Sequence, residues 1–125
     1  MYPTDRRYSK DHEWIKIEDG QGVLGITDFA QKELGDIVYV ELPEDGKRVK
    51  PGDVLGTVES VKAVSEIFAP LAGTVVESNG TLDASPETVN SDPHGEGWYC
   101  KLRLDDPTQL DELLDARQYE TLVGH

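Results

Sequence analysis

The chain has 125 residues, a length that favours a single domain with one core of ordinary size. Its 25 acidic and 12 basic residues give a net charge of −13, and such a chain repels phosphate backbones, so we expect no nucleic-acid partner. No apolar run approaches the roughly 20 residues of a membrane-spanning helix, and the N-terminal segment lacks the apolar stretch of a secretory signal, so we expect no membrane partner.

Short strands separated by turn residues dominate the chain. The candidate strands are rich in valine, isoleucine or aromatic residues, and most are separated by segments with Gly, Pro, Asn or Asp. This spacing is typical of a β-sandwich or β-barrel. The predicted strands are residues 14–18, 23–27, 36–42, 54–60, 63–70, 73–78 and 98–104.

The predicted strand 98–104 contains the only cysteine of the chain, Cys100. Its sequence WYCKLRL alternates apolar and polar residues, which places Cys100 on the apolar face. We therefore predict a buried core thiol rather than a catalytic one. A single cysteine also excludes an intrachain disulfide and favours a reducing compartment.

A first short helix is predicted at residues 27–35. Thr27 or Asp28 can act as its N-cap, and Gly35 provides a stop signal at its C-terminal end. Between residues 78 and 98 the chain is rich in turn-forming residues, and the segment 82–89 is expected to contain one helical turn.

The C-terminal segment 105–123 is predicted to be helical in two pieces. Asp106 caps the first piece and Pro107 occupies its first turn. Asp115 caps the second piece, with Gln118 in the capping-box position. We expect this segment to pack across the open side of the β-domain.

No set of residues in the sequence predicts catalysis. The three histidines, His12, His94 and His125, lack partners at the spacing of a zinc site. The sequence contains no G-x-S-x-G, no P-loop and no G-x-G-x-x-G. A free-standing enzyme is therefore not expected.

The segment ESVKAV, residues 59–64, places Lys62 among small and apolar neighbours. Strand-like segments on both sides predict that the lysine lies at the tip of a β-hairpin. Val61 is poorly suited to the positive φ of the common two-residue hairpin turns, whereas a type I turn accepts it. An accessible amine on a rigid tip suits the attachment of a long covalent arm, as in group carriers. The alternatives are an ordinary exposed lysine and a Schiff-base lysine, although the latter requires a buried amine.

Four segments of the sequence resemble one family, the H proteins of the glycine cleavage system. The resemblance runs from about Tyr8 to Tyr119 and includes ESVKA followed by AP and G, the family's lipoylation signature. The segments are GITDFAQKELGDIVYVELPEDGKRVKPGD, ESVKAVSEIFAPLAGTVVESN, TVNSDPHGEGW and LDELLDARQY.

The resemblance implies a mostly β fold of the lipoyl/biotinyl type, which is a flattened β-barrel or hammerhead sandwich with short helices. It implies a single lipoyl-type domain over residues 1–125, with the lipoyl core at about 22–104 and a C-terminal helical segment at 106–123.

The resemblance also implies a function as a carrier rather than a catalyst. Lys62 would carry lipoate in amide linkage, attached by lipoylating enzymes. A pyridoxal-phosphate-dependent glycine decarboxylase (P protein) would load an aminomethyl group onto the arm. The aminomethyltransferase (T protein) would pass its carbon to tetrahydrofolate and release ammonia, and dihydrolipoamide dehydrogenase (L protein) would reoxidise the arm. The expected location is the cytoplasm of a bacterium, or the mitochondrial matrix if the source is eukaryotic and a transit peptide has been removed.

Three acids complete the expected site. Glu59 lies three residues before Lys62, where H proteins have an acid, and is either read by the lipoylating enzyme or simply solvated. Glu66 and Glu13 are candidate partners for the ammonium of an aminomethylated arm folded back onto the protein.

Other functions remain as alternatives. One of the same class is a lipoyl or biotinyl domain that serves another complex. A further class is an H-like protein that only relays lipoyl groups between proteins, or an unmodified scaffold. Biotin carriers have methionines on both sides of the lysine, whereas the only methionine here is Met1.

Overall fold

Two β-sheets form the body of the protein in a computed structural model that describes residues 2–124. The strands are β1 (Arg7–Tyr8), β2 (Glu13–Glu18), β3 (Gln21–Ile26), β4 (Ile37–Glu41), β5 (Arg48–Val49), β6 (Val54–Ser60), β7 (Val64–Phe68), β8 (Gly73–Ser78) and β9 (Cys100–Leu104). The larger sheet has the order β1-β2-β3-β9-β8-β5, and the smaller has the order β4-β6-β7. All pairings are antiparallel, so the fold is mostly β as predicted.

The helices are short and lie between or after the strands. They are α1 (Asp28–Leu34), α2 (Thr81–Ala84), α3 (Thr88–Ser91), a 3₁₀ helix (Pro107–Glu112) and α4 (Ala116–Val123). Within residues 2–124, none of these helices has the length and apolar character needed to cross a bilayer.

The structure confirms each strand predicted from the sequence and adds two. The additional strands, β1 and β5, have two residues each, which is too short for a periodic pattern. Strand β2 pairs with β3 along its whole length, so the larger sheet extends beyond the expected lipoyl core at residues 22–104. That division of the chain stays a prediction.

The helix signals are confirmed with one refinement and one difference. Thr27, rather than Asp28, is the N-cap of α1, because its hydroxyl accepts a hydrogen bond from the Ala30 amide. The single turn expected at residues 82–89 is instead two helices, α2 and α3, separated around Pro86. Asp115 and Gln118 form the predicted capping box of α4.

The core lies between the two sheets. It includes Ile15 and Leu24 from the larger sheet and Val58 and Ile67 from the smaller. Cys100 belongs to this core and is fully buried, and burial raises the pKa of its thiol to about 12. The predicted core thiol is therefore confirmed, and the thiolate needed for reactivity is disfavoured.

A second cluster, of aromatic residues, joins the N-terminal segment to α4. The rings of Tyr8 and Tyr119 stack with centroids 4.9 Å apart, and Tyr2 meets both rings edge-on. Tyr8 also exchanges two backbone hydrogen bonds with Leu114, of 2.8 and 2.9 Å. The C-terminal helical segment is thus fixed to strand β1, at the edge of the larger sheet.

A lysine at a hairpin tip and a buried acid at the hairpin base

Strands β6 and β7 form the hairpin predicted around Lys62. Their last paired residues are Glu59 and Val64, so the tip consists of residues 60–63. Lys62 is exposed there, and its neighbours Val61 and Val64 are 69% and 65% exposed. The prediction of a lysine at a hairpin tip is confirmed.

Ser60 organises the turn at this tip. Its backbone amide donates to the Ala63 carbonyl at 2.7 Å, and its Oγ accepts the Lys62 and Ala63 amides at 3.2 and 3.0 Å. No residue of the turn has a positive φ, which excludes the two-residue turns that Val61 would resist. Sequence reasoning missed Ser60, although a serine that bonds backbone amides is a common turn signal.

The end of α1 supports the tip from one side. The Val61 amide donates to the Asp36 carbonyl at 3.0 Å. The Cε atom of Lys62 lies 3.6 Å from where a Cβ at Gly35 would stand, so the lysine stem rests against this glycine. Gly35 has a φ of 78°, a left-handed conformation that glycine adopts without strain.

Asn90 of α3 holds this corner in place. Its Nδ2 donates to the Gly35 carbonyl and to Gln31 Oε1, each at 2.9 Å, and its Oδ1 accepts the Ile37 amide at 2.8 Å. One side chain therefore joins the end of α1 to the start of β4. This role was not predicted, because Asn90 lies far from Lys62 in the sequence and its partners are mostly backbone atoms.

The amine of Lys62 is free in the part of the chain that the structure describes: no carboxylate lies within salt-bridge distance of it. Its exposure opposes the Schiff-base alternative, which requires a desolvated amine. Glu59 is also exposed and lies in one cross-strand row with Tyr39 and Val64. The surface beside the lysine thus combines one acid with two exposed apolar residues.

Glu13, at the start of β2, is a buried acid that is 2% exposed. Its Oε1 accepts the Ser9 hydroxyl at 2.6 Å, and its Oε2 accepts the Phe68 backbone amide at 3.2 Å. Because burial disfavours the charged form, the pKa of Glu13 is raised to about 7, although both hydrogen bonds act against this rise.

The Phe68 bond places Glu13 at the base of the hairpin that carries Lys62. A cleft of about 290 Å³ opens beside Glu13. Its lining includes the apolar Ala69, Pro70 and Leu113 and the charged Lys10, Asp11 and Glu112. Glu66 lies on β7, is exposed, and precedes Phe68 by two residues, or about 7 Å of strand. The base and the tip are separated by about 13 Å, the length of β7 from Val64 to Phe68.

The histidines do not form a metal site in the described chain. Residues 2–124 contain no group of three or more His, Cys, Asp or Glu side chains placed to hold a metal ion. His12 precedes β2 and has a φ of 69°, and its ring packs against Phe29 with centroids 4.7 Å apart. His94 Nε2 accepts the Asp28 amide at 3.1 Å, and His125 lies outside the described residues.

We predict that Glu13 makes the stability of the protein depend on pH. The pKa of Glu13 is 4.5 in a free chain and about 7 in the folded protein, so the folded state binds the proton more tightly than the unfolded state. The stabilisation by this proton is fully present below about pH 4.5 and is lost as the pH rises through 7. Between about pH 4.5 and 8, the free energy of unfolding should therefore fall by up to about 3 kcal/mol in the wild type relative to Glu13→Gln.

Urea unfolding at a series of pH values measures this difference. Glu66→Gln, which makes the same change on an exposed strand residue, is the matched control. Parallel pH profiles for the wild type and Glu13→Gln would contradict the prediction.

Comparison with known proteins gives a consistent result over nearly the whole chain. The family model "Glycine cleavage H-protein" matches residues 6–125. The glycine cleavage system H protein of Chlorobium limicola is 60% identical over 124 residues, which are 98% of this chain and 97% of that protein. The protein of the same name from Symbiobacterium thermophilum is 54% identical over 97% of this chain and 94% of its own length.

A solved structure agrees with these relatives. The crystal structure of a glycine cleavage system H protein from Mycobacterium marinum superimposes with a TM-score of 0.91 at 41% identity, covering 99% of this chain and all of that one. The predicted sandwich with short helices is therefore confirmed. The chain belongs to the glycine cleavage H-protein family, the lipoyl-carrying shuttle component of the glycine cleavage system.

Proposed function

We propose that this protein is a non-catalytic carrier and that Lys62 is its site of lipoate attachment. The observation that carries the proposal is the free, exposed amine at a turn whose backbone is held by Ser60 and by the Asp36 carbonyl. When bound through an amide at Lys62 Nζ, lipoate supplies the dithiol that carries the aminomethyl group left by glycine decarboxylation.

The rigid tip and the flexible stem have different roles in this proposal. The hydrogen bonds of Ser60 fix the backbone at Lys62, so this backbone has little conformational freedom to lose when a modifying enzyme binds. The neighbouring Val61 and Ala63 cannot pair with the amine. The long stem of Lys62 is left to move between a partner's active site and the surface of the carrier.

The protein's own residues offer little for catalysis near the tip, which favours partners as the source of chemistry. The Cys100 thiol is buried and its pKa is raised, and burial lowers the pKa values of His12 and His94. We assign decarboxylation to the P protein, transfer of the carbon to tetrahydrofolate to the T protein, and reoxidation to the L protein. The net charge of −13 would speed encounter with basic surfaces on these larger enzymes.

Glu13 and Glu66 are proposed to hold the ammonium of the carried group. Glu13 already lies at the base of the β6–β7 hairpin and beside a cleft whose lining combines apolar residues with the charged Lys10, Asp11 and Glu112. In such surroundings a positive charge strongly favours the ionised carboxylate, and exclusion of water would protect the carried group. Glu66 lies on the strand between the tip and Glu13, but an exposed acid contributes less.

Glu59 is proposed to be a contact for the lipoylating enzyme. It is exposed, lies in a row with Tyr39 and Val64, and precedes the lysine by three residues. An acid flanked by apolar residues gives a modifying enzyme both a charge and an apolar surface to recognise.

Bacterial relatives support a cytoplasmic location of the bacterial type rather than the mitochondrial matrix. The second candidate function is service as a lipoyl domain or lipoyl relay for another complex, which the same modified lysine would allow.

We predict that Lys62 is the modified residue. The intact mass of the chain isolated from its own cell should show one lipoyl increment that disappears in Lys62→Arg. The control Lys50→Arg, at another exposed lysine, should keep the increment. An unmodified chain from lipoate-sufficient cells would contradict the attachment site. Glycine–bicarbonate exchange with a glycine decarboxylase then separates the two functions, because a carrier for another complex alone would not support the exchange.

Glu59→Gln should slow lipoylation by a purified lipoylating enzyme by about tenfold, the effect of losing one charged contact. The rate of modification is followed by mass spectrometry. Glu66→Gln changes an acid on the other strand of the hairpin and should leave the rate near that of the wild type. Equal rates for Glu59→Gln and the wild type would show that Glu59 is only a solvated strand residue.

Retention of the carried group tests the two remaining acids. The lipoylated, reduced chain can be loaded with formaldehyde and ammonia, and water then reverses the reaction to give the thiol, formaldehyde and ammonia. Release of formaldehyde should be about tenfold faster in Glu13→Gln and less than about threefold faster in Glu66→Gln. Unchanged release in both variants would refute this role.

A further inference from the structure

The residues before Glu13 form a loop that closes on itself. The Ser9 amide donates to the Glu13 carbonyl at 2.8 Å, and the His12 amide donates to the Ser9 carbonyl at 3.2 Å. The Glu13 amide donates to Ser9 Oγ at 3.1 Å, and the same hydroxyl donates to the Glu13 carboxylate. The direction of the Glu13 side chain therefore depends on the geometry of this loop, residues 9–13.

His12 is the strained member of the loop. Its φ of 69° lies in the left-handed region, which costs a residue with a Cβ roughly 1 kcal/mol or more. Such a conformation persists only when its surroundings hold it. A relaxed His12 would turn the chain differently into β2 and move Glu13 away from Phe68.

One contact that holds His12 comes from the other end of the chain. Tyr119 of α4 is fully buried, and its hydroxyl oxygen lies 2.7 Å from His12 Nδ1. The same oxygen lies 2.7 Å from Thr27 Oγ1, which accepts the Ala30 amide at 3.2 Å. Tyr119 is therefore fixed by the N-cap of α1 as well as by its stacking on Tyr8.

The three polar groups form one chain of hydrogen bonds. The Tyr119 hydroxyl lies between Thr27 Oγ1 and His12 Nδ1 and bonds to both, whichever way the hydrogens run. Removal of this one hydroxyl therefore breaks both bonds.

We infer that Tyr119 is a positioning residue for Glu13: through His12 it holds the 9–13 loop in the conformation that presents the Glu13 carboxylate to the Phe68 amide and to the cleft. The inference rests on the proposed function, in which Glu13 binds the ammonium of the carried group. It gives the C-terminal helix a role at a site to which it contributes no acid.

Tyr119→Phe tests the inference, because it removes one hydroxyl and keeps the stacked ring. Tyr8→Phe is the matched control, because it also removes one hydroxyl from this ring stack. The Tyr8 hydroxyl donates to the Pro3 carbonyl, at 2.6 Å, and not to the 9–13 loop. His12→Phe removes the other partner of the bond while keeping a ring against Phe29. It replaces Tyr119→Phe if that variant does not fold.

The first measurement uses the unlipoylated chain. Native-state amide hydrogen exchange at Glu13 and Phe68, each expressed relative to the core amide of Leu102, should be about three- to tenfold faster in Tyr119→Phe. The ratios should be unchanged in Tyr8→Phe. A general loss of stability raises the exchange rates of all three amides together and leaves the ratios unchanged. Equal ratios in Tyr119→Phe and Tyr8→Phe would therefore overturn the inference.

The second measurement is formaldehyde release from the lipoylated and loaded chain. Tyr119→Phe should release about three- to tenfold faster than the wild type, and the double variant with Glu13→Gln should be no faster than Glu13→Gln alone. Additive effects, or fast release in Glu13→Gln with normal release in Tyr119→Phe, would overturn the inference and leave the role of Glu13 intact. Normal release in Glu13→Gln itself would refute both the inference about Tyr119 and the proposed role of Glu13.

Discussion

The hydrogen bond between the Glu13 carboxylate and the Phe68 amide is the contact on which the arrangement of the site depends. Glu13 begins a strand of the larger sheet, and Phe68 ends the edge strand of the smaller sheet. An edge strand leaves some backbone amides without a partner strand, and an amide that is shielded from water there needs another acceptor. A side-chain carboxylate provides it here, and as a result a titratable group lies at the base of the hairpin that bears the lysine.

The two ends of β7 have opposite physical properties, and the proposed carrier needs both. At the tip, Ser60 satisfies the turn amides and leaves the Lys62 amine in water. At the base, Glu13 is buried and bonded to Ser9 and to the Phe68 amide. In the proposed function, an attached arm would be free to leave the surface at the tip, and Glu13 would attract its carried group about 13 Å away.

The sequence was sufficient to predict features that depend on local chemistry. Capping residues such as Thr27 and Asp115, the hairpin around Lys62 and the burial of Cys100 follow from patterns within a few residues. The contacts of Asn90 and Tyr119 could not be predicted in this way, because their partners lie far along the chain and are mostly backbone or single hydroxyl groups. Glu13 was suggested by family resemblance, but its burial follows from the packing of the two sheets, which periodicity does not specify.

If Glu13 holds the carried group as proposed, its burial would make that hold reversible. In an apolar site an ionised carboxylate is costly, and with a pKa of about 7 Glu13 is only partly ionised near neutral pH. An ammonium at the cleft would favour the charged form of Glu13. Because Glu13 must lose its proton to become charged, the free energy of deprotonation reduces the favourable free energy of the pair. The net affinity is then smaller than that of a permanently charged buried pair. A shuttle requires this compromise, because it must exclude water from the group between partners and still release the arm to each enzyme in turn.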